Sequence, residues 1–277
     1  MPELPEVETV RRTLEMQLQH PVIEKVTVFW PRIVDNCSPQ QFCDIVKGQK
    51  IQDYQRIGKY LIFVLDHHVI VSHLRMEGKY YVQKAHEPYD KKHTHAIFTF
   101  TNGLQLRYHD TRKFGRFYLY ERNEELTKQK AFQHCGYDVF DERCTPEYLY
   151  QQLHPRRITL KQALLDQSVM AGVGNIYADE ICFALGYDPE ISIQRVRKKD
   201  FPALLAQARR ILGGAMKAGG TTIRSYTSSL GVDGRFQLQL KVHARKGQPC
   251  VNCGTEIIKK TVATRGTYYC PKCQRKR

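Results

Sequence analysis

Apolar residues recur at helical spacing near the start of the chain, where Val7, Val10, Leu14 and Leu18 share one face. Residues 5–18 are therefore predicted to form an amphipathic helix with Pro5 and Glu6 in its first turn, so that the terminus is anchored. The period then changes. Runs such as IEKVTVFW, KYLIFVLD, HVIVSHLRM and HAIFTFTNGLQLRYHD read as strands, and Asn102-Gly103 in the last is a two-residue hairpin signal. Alternation, as in Ile97, Phe98, Thr99 and Phe100, predicts a two-sheet sandwich or barrel. Residues 121–144 are polar and poorly periodic and read as a linker. Beyond them the helical period returns and predicts helices over 146–153, 159–165, 175–185 and 201–217. A polar, glycine-rich stretch, AGGTTIRSYTSSLGVDGRFQ, leads to a tail that carries cysteines.

Charge narrows the partner. The 277 residues hold 43 Lys and Arg against 28 Asp and Glu, a net charge of +15, which calls for an acidic partner. Nucleic acid is the commonest such polyanion, and an acidic membrane surface is the competitor. Residues 241–277 alone carry ten Lys or Arg against Glu256, a net of +9, so the tail is expected to make the strongest electrostatic contact. No apolar run approaches the roughly 18 residues of a membrane span, and the start lacks a basic region followed by an apolar one. A cytoplasmic location is expected, and in a reducing compartment nine cysteines argue for metal ligands or buried thiols over disulfides.

Their spacing separates the two. Cys250 and Cys253, then Cys270 and Cys273, form two Cys-x2-Cys pairs, which supply four thiolates to one tetrahedral zinc. The strand-like TEIIKKTVA and RGTYYC between them are predicted to form the hairpin of a zinc ribbon. Four cysteines leave no open coordination position, so the zinc is expected to be structural. Cys37, Cys43, Cys135, Cys144 and Cys182 have no such spacing and read as packing or surface thiols.

Gly172 and Gly174 precede the helix expected from Asn175. Glycines allow a tight turn at a helix N-terminus, where free N–H groups can receive a phosphate. A plain turn between helices explains them equally well. With no preceding strand and no nucleotide fingerprint, a helix-turn-helix grip on a DNA backbone, with Asn175 as a side-chain donor, reads better than a nucleotide site.

Taken in order, MPELPEVETVRR, IGKYL, SHLRMEGKY, RKFG, GVGNIYADE and RGTYYCPKCQ resemble the formamidopyrimidine-DNA glycosylase family of bacterial base-excision repair essentially from end to end. The resemblance implies an α+β multidomain chain: an N-terminal helix and β-sandwich over 1–134, a linker over 135–144, a helix-two-turns-helix domain over 145–225 and a zinc ribbon over 226–277, with DNA in the cleft between. It implies a bifunctional glycosylase and AP lyase acting as a monomer on double-stranded DNA with oxidised purines, chiefly 8-oxoguanine opposite cytosine and formamidopyrimidines.

The resemblance also assigns roles. Once Met1 is removed, Pro2 is a secondary amine with a pKa near ~8, partly unprotonated at neutral pH and able to attack the sugar C1′. Glu3 matches the proton donor to the opening sugar, Lys59 the lysine that assists β-elimination, and Arg265 the residue of δ-elimination. On the residues alone, Glu3 reads as a carboxylate at a helix start, Lys59 as a solvent lysine and Arg265 as part of a basic hairpin tip. Met76, Arg112 and Phe114 match the wedge that fills the gap left by a flipped nucleotide, with Arg112 facing the orphaned cytosine. Unaided, Met76 and Phe114 read as core at strand ends. His73, His93, Arg157 and Asn175 match DNA contacts, and residues 219–237 match the loop that covers the flipped base.

Departures from the family pattern are Cys135 to Val139 in place of Gly-Pro-Glu-Pro, His243-Ala244 in place of Tyr-Gly, and Thr264 in place of Gly. The related endonuclease VIII branch, which prefers oxidised pyrimidines, opens on a glycine where this chain has Leu4. It is one alternative, and a catalytically silent module that recognises damaged DNA is another.

Overall fold

The structure is a computed structural model and describes residues 1–221 and 236–275. Residues 222–235, within the expected loop 219–237, lie outside the described residues, as do 276 and 277. The described chain divides into two units, residues 1–133 with 219–221, and residues 134–218 with 236–275.

The first unit opens with α1 (Leu4–Leu18), whose apolar face lies inward: Val7, Val10, Leu14 and Leu18 are all in the core. Its strands are β1 (Ile23–Val28), β2 (Ile51–Ile57), β3 (Tyr60–Leu65), β4 (His68–His73), β5 (Lys79–Lys84), β6 (Thr94–Phe100), β7 (Leu104–His109) and β8 (Arg116–Glu121). They form two four-stranded sheets, ordered β1-β6-β7-β5 and β2-β3-β4-β8. Every pairing among these strands is antiparallel; the hairpin at Asn102-Gly103 is present, but β6 passes into β7 through three residues, 101–103, one more than the two-residue signal predicts, with Gly103 at φ +80° and its N–H on Phe100 O at 3.0 Å. Both sheets contribute to one core, Phe98, Leu106 and Tyr108 from the first and Phe63, Ile70 and Phe117 from the second, so the arrangement is a sandwich. A short helix, α2 (Pro39–Val46), was not foreseen from the sequence; Ser38 and Gln41 close a capping box at its start.

Buried charge fixes α1 to the sheet beneath. The Glu8 carboxylate accepts from Arg11, from Arg12 Nε at 2.7 Å and from Arg56 Nε at 3.3 Å, while Arg11 Nη1 donates to Tyr54 O at 3.0 Å. Burial pushes the Glu8 carboxyl up, but these guanidinium groups outweigh it and hold it below the usual range.

In the second unit β9 (Tyr137–Asp138) pairs in parallel with β10 (Met170–Ala171). The stretch 121–144, expected as a linker, thus has structure: Phe132 packs on Tyr60, Val139 is buried, and Arg209 donates to the carbonyls of Val139, Asp141 and Cys144. The four later helices fall where the periodicity puts them: α3 (Pro146–Leu153), α4 (Leu160–Leu165), α5 (Asn175–Leu185) and α6 (Phe201–Lys217). Thr145 and Thr159 cap α3 and α4, and α5 ends at Gly186, whose left-handed φ of 69° closes the last turn. The tail forms the antiparallel hairpin of β11 (Ile258–Val262) and β12 (Arg265–Tyr269). Among the described residues no helix is long and apolar enough to cross a membrane.

Candidate active site and metal centre

At the head of α1, Pro2 and Glu3 are buried although they are the second and third residues of the chain. Glu3 is the N-cap, and its N–H donates to Glu6 Oε2 at 2.9 Å in a capping box. The other oxygen of Glu6 accepts from Thr221 N at 2.8 Å and Thr221 Oγ1 at 3.0 Å. Glu6 reads from sequence as a plain helix start, yet it ties the helix mouth to the root of the stretch that follows Thr221. Gly220, at φ +77°, belongs there: a Cβ would meet Glu6 Oε1 at 3.0 Å.

With Met1 in place, burial pushes the terminal amine below the usual α-amino range, Glu3 and Glu6 pull it back, and Lys59 lowers it further. Loss of Met1 would move that amine one residue inward, to Pro2. Lys59 is 5% exposed and sits in the two-residue turn between β2 and β3, where Gly58 takes φ +56° and its carbonyl accepts from Arg56 Nη1 at 2.8 Å. Pro2, Glu3 and Lys59 therefore belong to one buried neighbourhood.

His73 ends β4 and is 7% exposed, with its ring edge-on to Tyr60 and its Nδ1 accepting the Arg75 N–H at 2.9 Å. Burial, reinforced by Arg75 and Lys59, pushes its pKa down to about 3. The ring is neutral, and with Nδ1 an acceptor its proton is on Nε2. The unfolded chain, with an ordinary His pKa near ~6.5, takes up that proton first, so stability is complete above about 6.5 and is lost as pH falls toward 3. His73→Gln should flatten this acid limb by up to about 1.4 kcal/mol per pH unit, read as the difference between the urea midpoints of the two proteins from pH 7.5 to 5. Parallel pH curves would contradict it.

Met76, Arg112 and Phe114 lie on two connections that cross between the sheets, residues 74–78 from β4 to β5 and 110–115 from β7 to β8. Asp110, fully buried, shapes the second: Oδ1 accepts from Arg112 N, and Oδ2 from Phe114 N and Gly115 N, each at 2.9 Å. Phe114 is 46% exposed, and the Arg112 guanidinium lies over its ring at 4.7 Å. His93 joins this loop through its carbonyl, which accepts the Asp110 N–H at 2.9 Å.

In the second unit Asn175 opens α5 behind Gly172, at φ +115°, and Gly174. Its Nδ2 donates to Gly266 O at 3.0 Å, so this side chain, expected to face a phosphate, holds the residue beside Arg265. Lys161 Nζ reaches the same carbonyl at 3.2 Å, and also Thr267 Oγ1 and Asp179 Oδ1, each at 2.7 Å. Asp179 Oδ2 accepts from His243 Nδ1 at 2.7 Å. Lys161 and Asp179 are fully buried, a pair whose disruption costs about 3–5 kcal/mol. Glu180 accepts the N–H groups of Lys241, Val242 and His243, while burial holds its carboxyl above the usual range. The hairpin that carries Arg265 is thus fastened to α4 and α5 by residues that its own motif does not contain.

Arg265 itself is exposed and follows the two-residue turn Ala263-Thr264, where both residues take positive φ, 48° and 66°. A β-branched residue is strained there, by the order of 1–2 kcal/mol. Arg157 is exposed in the connection between α3 and α4.

The four ribbon cysteines converge, with all their Sγ atoms within 4.8 Å of one another. Cys250 and Cys273 are 3.9 Å apart and Cys253 and Cys270 3.5 Å, against about 3.8 Å for the edge of a tetrahedron with Zn–S bonds of ~2.3 Å. The donor set fits one structural zinc. Around it Phe183, Val242 and Ile257 form a small core of their own. Cys144 and Cys182 are buried packing thiols, and burial pushes Cys144 up to about 11.

Comparison with known proteins agrees with this layout. Residues 1–117 match the formamidopyrimidine-DNA glycosylase N-terminal domain, 135–227 its H2TH domain, and 247–275 the zinc finger found in FPG and IleRS. The formamidopyrimidine-DNA glycosylase of Bacillus subtilis is 46% identical over 278 residues, covering 100% of each chain. Two structures of Lactococcus lactis Fpg, one a mutant with DNA containing Fapy-dG and one with DNA containing an abasic site, each superpose with a TM-score of 0.92 at 36% identity, covering 99% of this chain and 100% of theirs. End to end, in its sandwich, its H2TH helices and its four-cysteine finger, this chain belongs to the formamidopyrimidine-DNA glycosylase family.

Proposed function

We propose that the chain is a bifunctional DNA glycosylase and AP lyase that removes 8-oxoguanine opposite cytosine and formamidopyrimidines from double-stranded DNA. The observation that carries this reading is the buried start of α1, where burial lowers the terminal amine beside Glu3, Glu6 and Lys59. A lowered amine is a larger fraction nucleophile at neutral pH.

After Met1 is removed, the Pro2 nitrogen attacks C1′, and the damaged base departs with the electron pair of the glycosidic bond and takes up the proton that the nitrogen loses. Glu3 gives its proton to the ring oxygen as the sugar opens. The product is an iminium, whose charge acidifies the C2′ proton. Its loss, assisted by Lys59, expels the 3′ phosphate, and a second elimination, assigned to Arg265, expels the 5′ phosphate. Met76, Arg112 and Phe114 fill the vacated stack, and His73, His93, Arg157 and Asn175 hold the backbone. His73 serves in this scheme as a neutral Nε2–H donor, and Asn175 through the second hydrogen of its amide. The zinc holds the ribbon in shape. Within this reading the chain works as a cytoplasmic monomer, divided at 134, 144 and 225.

The test is excision from matched duplexes. Release of 8-oxoguanine opposite cytosine should exceed release of thymine glycol; the reverse order would favour the oxidised-pyrimidine reading, and no release of either would leave only a damage-binding module.

A further inference from the structure

Two loops carry the three wedge side chains, and both are crossings from one sheet to the other. They run side by side. His73 and Arg116 are paired across β4 and β8, and Lys79 and His109 across β5 and β7, so the ends of the two crossings are fixed within each sheet. Hydrogen bonds within a sheet do not fix the spacing between the two tips.

One side chain reaches both. Tyr108 of β7 is 1% exposed, with its ring held edge-on by Tyr80 and Phe117, each with centroids 5.1 Å away. Its hydroxyl lies where side chains on both loops would begin: a Cβ on Gly115 would meet it at 1.7 Å and a Cβ on Gly78 at 2.3 Å. These glycines are therefore required by close approach, and each closes its loop just after the wedge residues. Among the described residues the hydroxyl has no hydrogen-bond partner and acts by packing alone, whereas a hydrogen bond from Thr111 Oγ1 to Glu77 Oε2 joins the tips.

We propose that Tyr108 is the positioning residue of the wedge: its hydroxyl, clamped between the backbones of Gly78 and Gly115, sets the spacing between the tip bearing Met76 and the tip bearing Arg112 and Phe114. This rests on the reading of those three side chains as the gap filler. Arg112 can tell cytosine from adenine only if its fork of donors is held at one distance and angle from the orphaned base. Tyr108 therefore acts on opposite-base selectivity and leaves the chemistry at Pro2 alone.

Tyr108→Phe keeps the ring and its packing and removes only the strut. Amide exchange in 74–78 and 110–115 should speed up together. The preference for excising 8-oxoguanine opposite cytosine over adenine should fall by about tenfold, the scale on which small misplacements act. Borohydride trapping on a preformed abasic site should stay within about twofold of wild type. Arg112→Ala is the parallel arm. If Arg112→Ala loses the preference while Tyr108→Phe keeps it and its loop protection, the strut is refuted and the wedge reading stands. If both variants keep the preference, the wedge reading falls and the strut with it.

Discussion

Pro2→Gly is expected to reduce the borohydride-trapped adduct with abasic-site DNA by about a hundredfold or more, while affinity for the same DNA changes by less than about threefold. Glycine keeps a terminal amine but loses two properties of proline. A secondary amine can form only a charged iminium, which trapping requires, whereas a primary amine gives an imine that can shed its proton. The fixed φ of proline also orients the nitrogen at the helix mouth, and glycine there restores freedom where Glu3 and Glu6 have built a rigid start. In the proposed scheme binding rests on other groups, many of them the exposed cations of the second unit, so it should survive. Equal loss of trapping and binding, measured by gel shift beside the trapping assay, would contradict Pro2 as the nucleophile.

The second large effect is expected from the metal. Removing zinc with a strong chelator, or Cys270→Ser, should abolish amide protection across 250–273 and weaken DNA binding by at least about tenfold, because the binding energy of a structural zinc, about 10–16 kcal/mol in zinc-finger peptides, is folding energy. Cys270 is fully buried and its hairpin has few other apolar partners, chiefly Phe183, Val242 and Ile257. The attachments of Lys161, Asp179 and Glu180 to the tail would loosen with it, whereas exchange in α1 and the sandwich should stay as it is. A chelated protein that kept both its ribbon protection and its affinity would show that the hairpin stands without metal.

What was legible in the sequence were features that act locally. The helices α3, α5 and α6 carry their period and end signals within a few residues, and the observed bounds match. The ribbon is written in four cysteines. By contrast α2 buries only Phe42 and Val46, too few for a periodic signal, although Ser38, Pro39 and Gln41 did mark its start. The pair β9 and β10 joins residues far apart in sequence in a two-residue ladder that has no period to read.

The site divides in the same way. On the residues alone Glu3 reads only as a carboxylate at a helix start, and it is the family motifs that point to Pro2, Glu3, Lys59, Arg112 and Arg265. Tyr108 and Lys161 lie outside those motifs, and Asp179, although inside GVGNIYADE, shows nothing there of its hold on Lys161, since these contacts join residues apart in sequence. Asp110 also carries no motif role, and its hold on the N–H groups of Arg112, Phe114 and Gly115 is seen only in the folded loop. Glu6 was read as half its role, the helix start, and its hold on Thr221 needed the folded chain.

The central claim is that the nitrogen of Pro2 bonds to the sugar. Its most direct test is mass analysis of the borohydride-trapped complex after nuclease and protease digestion. The expected product is a chain that has lost Met1 and carries the reduced sugar remnant on the nitrogen of Pro2. A remnant on Lys59 or any other lysine, or efficient trapping by protein that retains Met1, would contradict it.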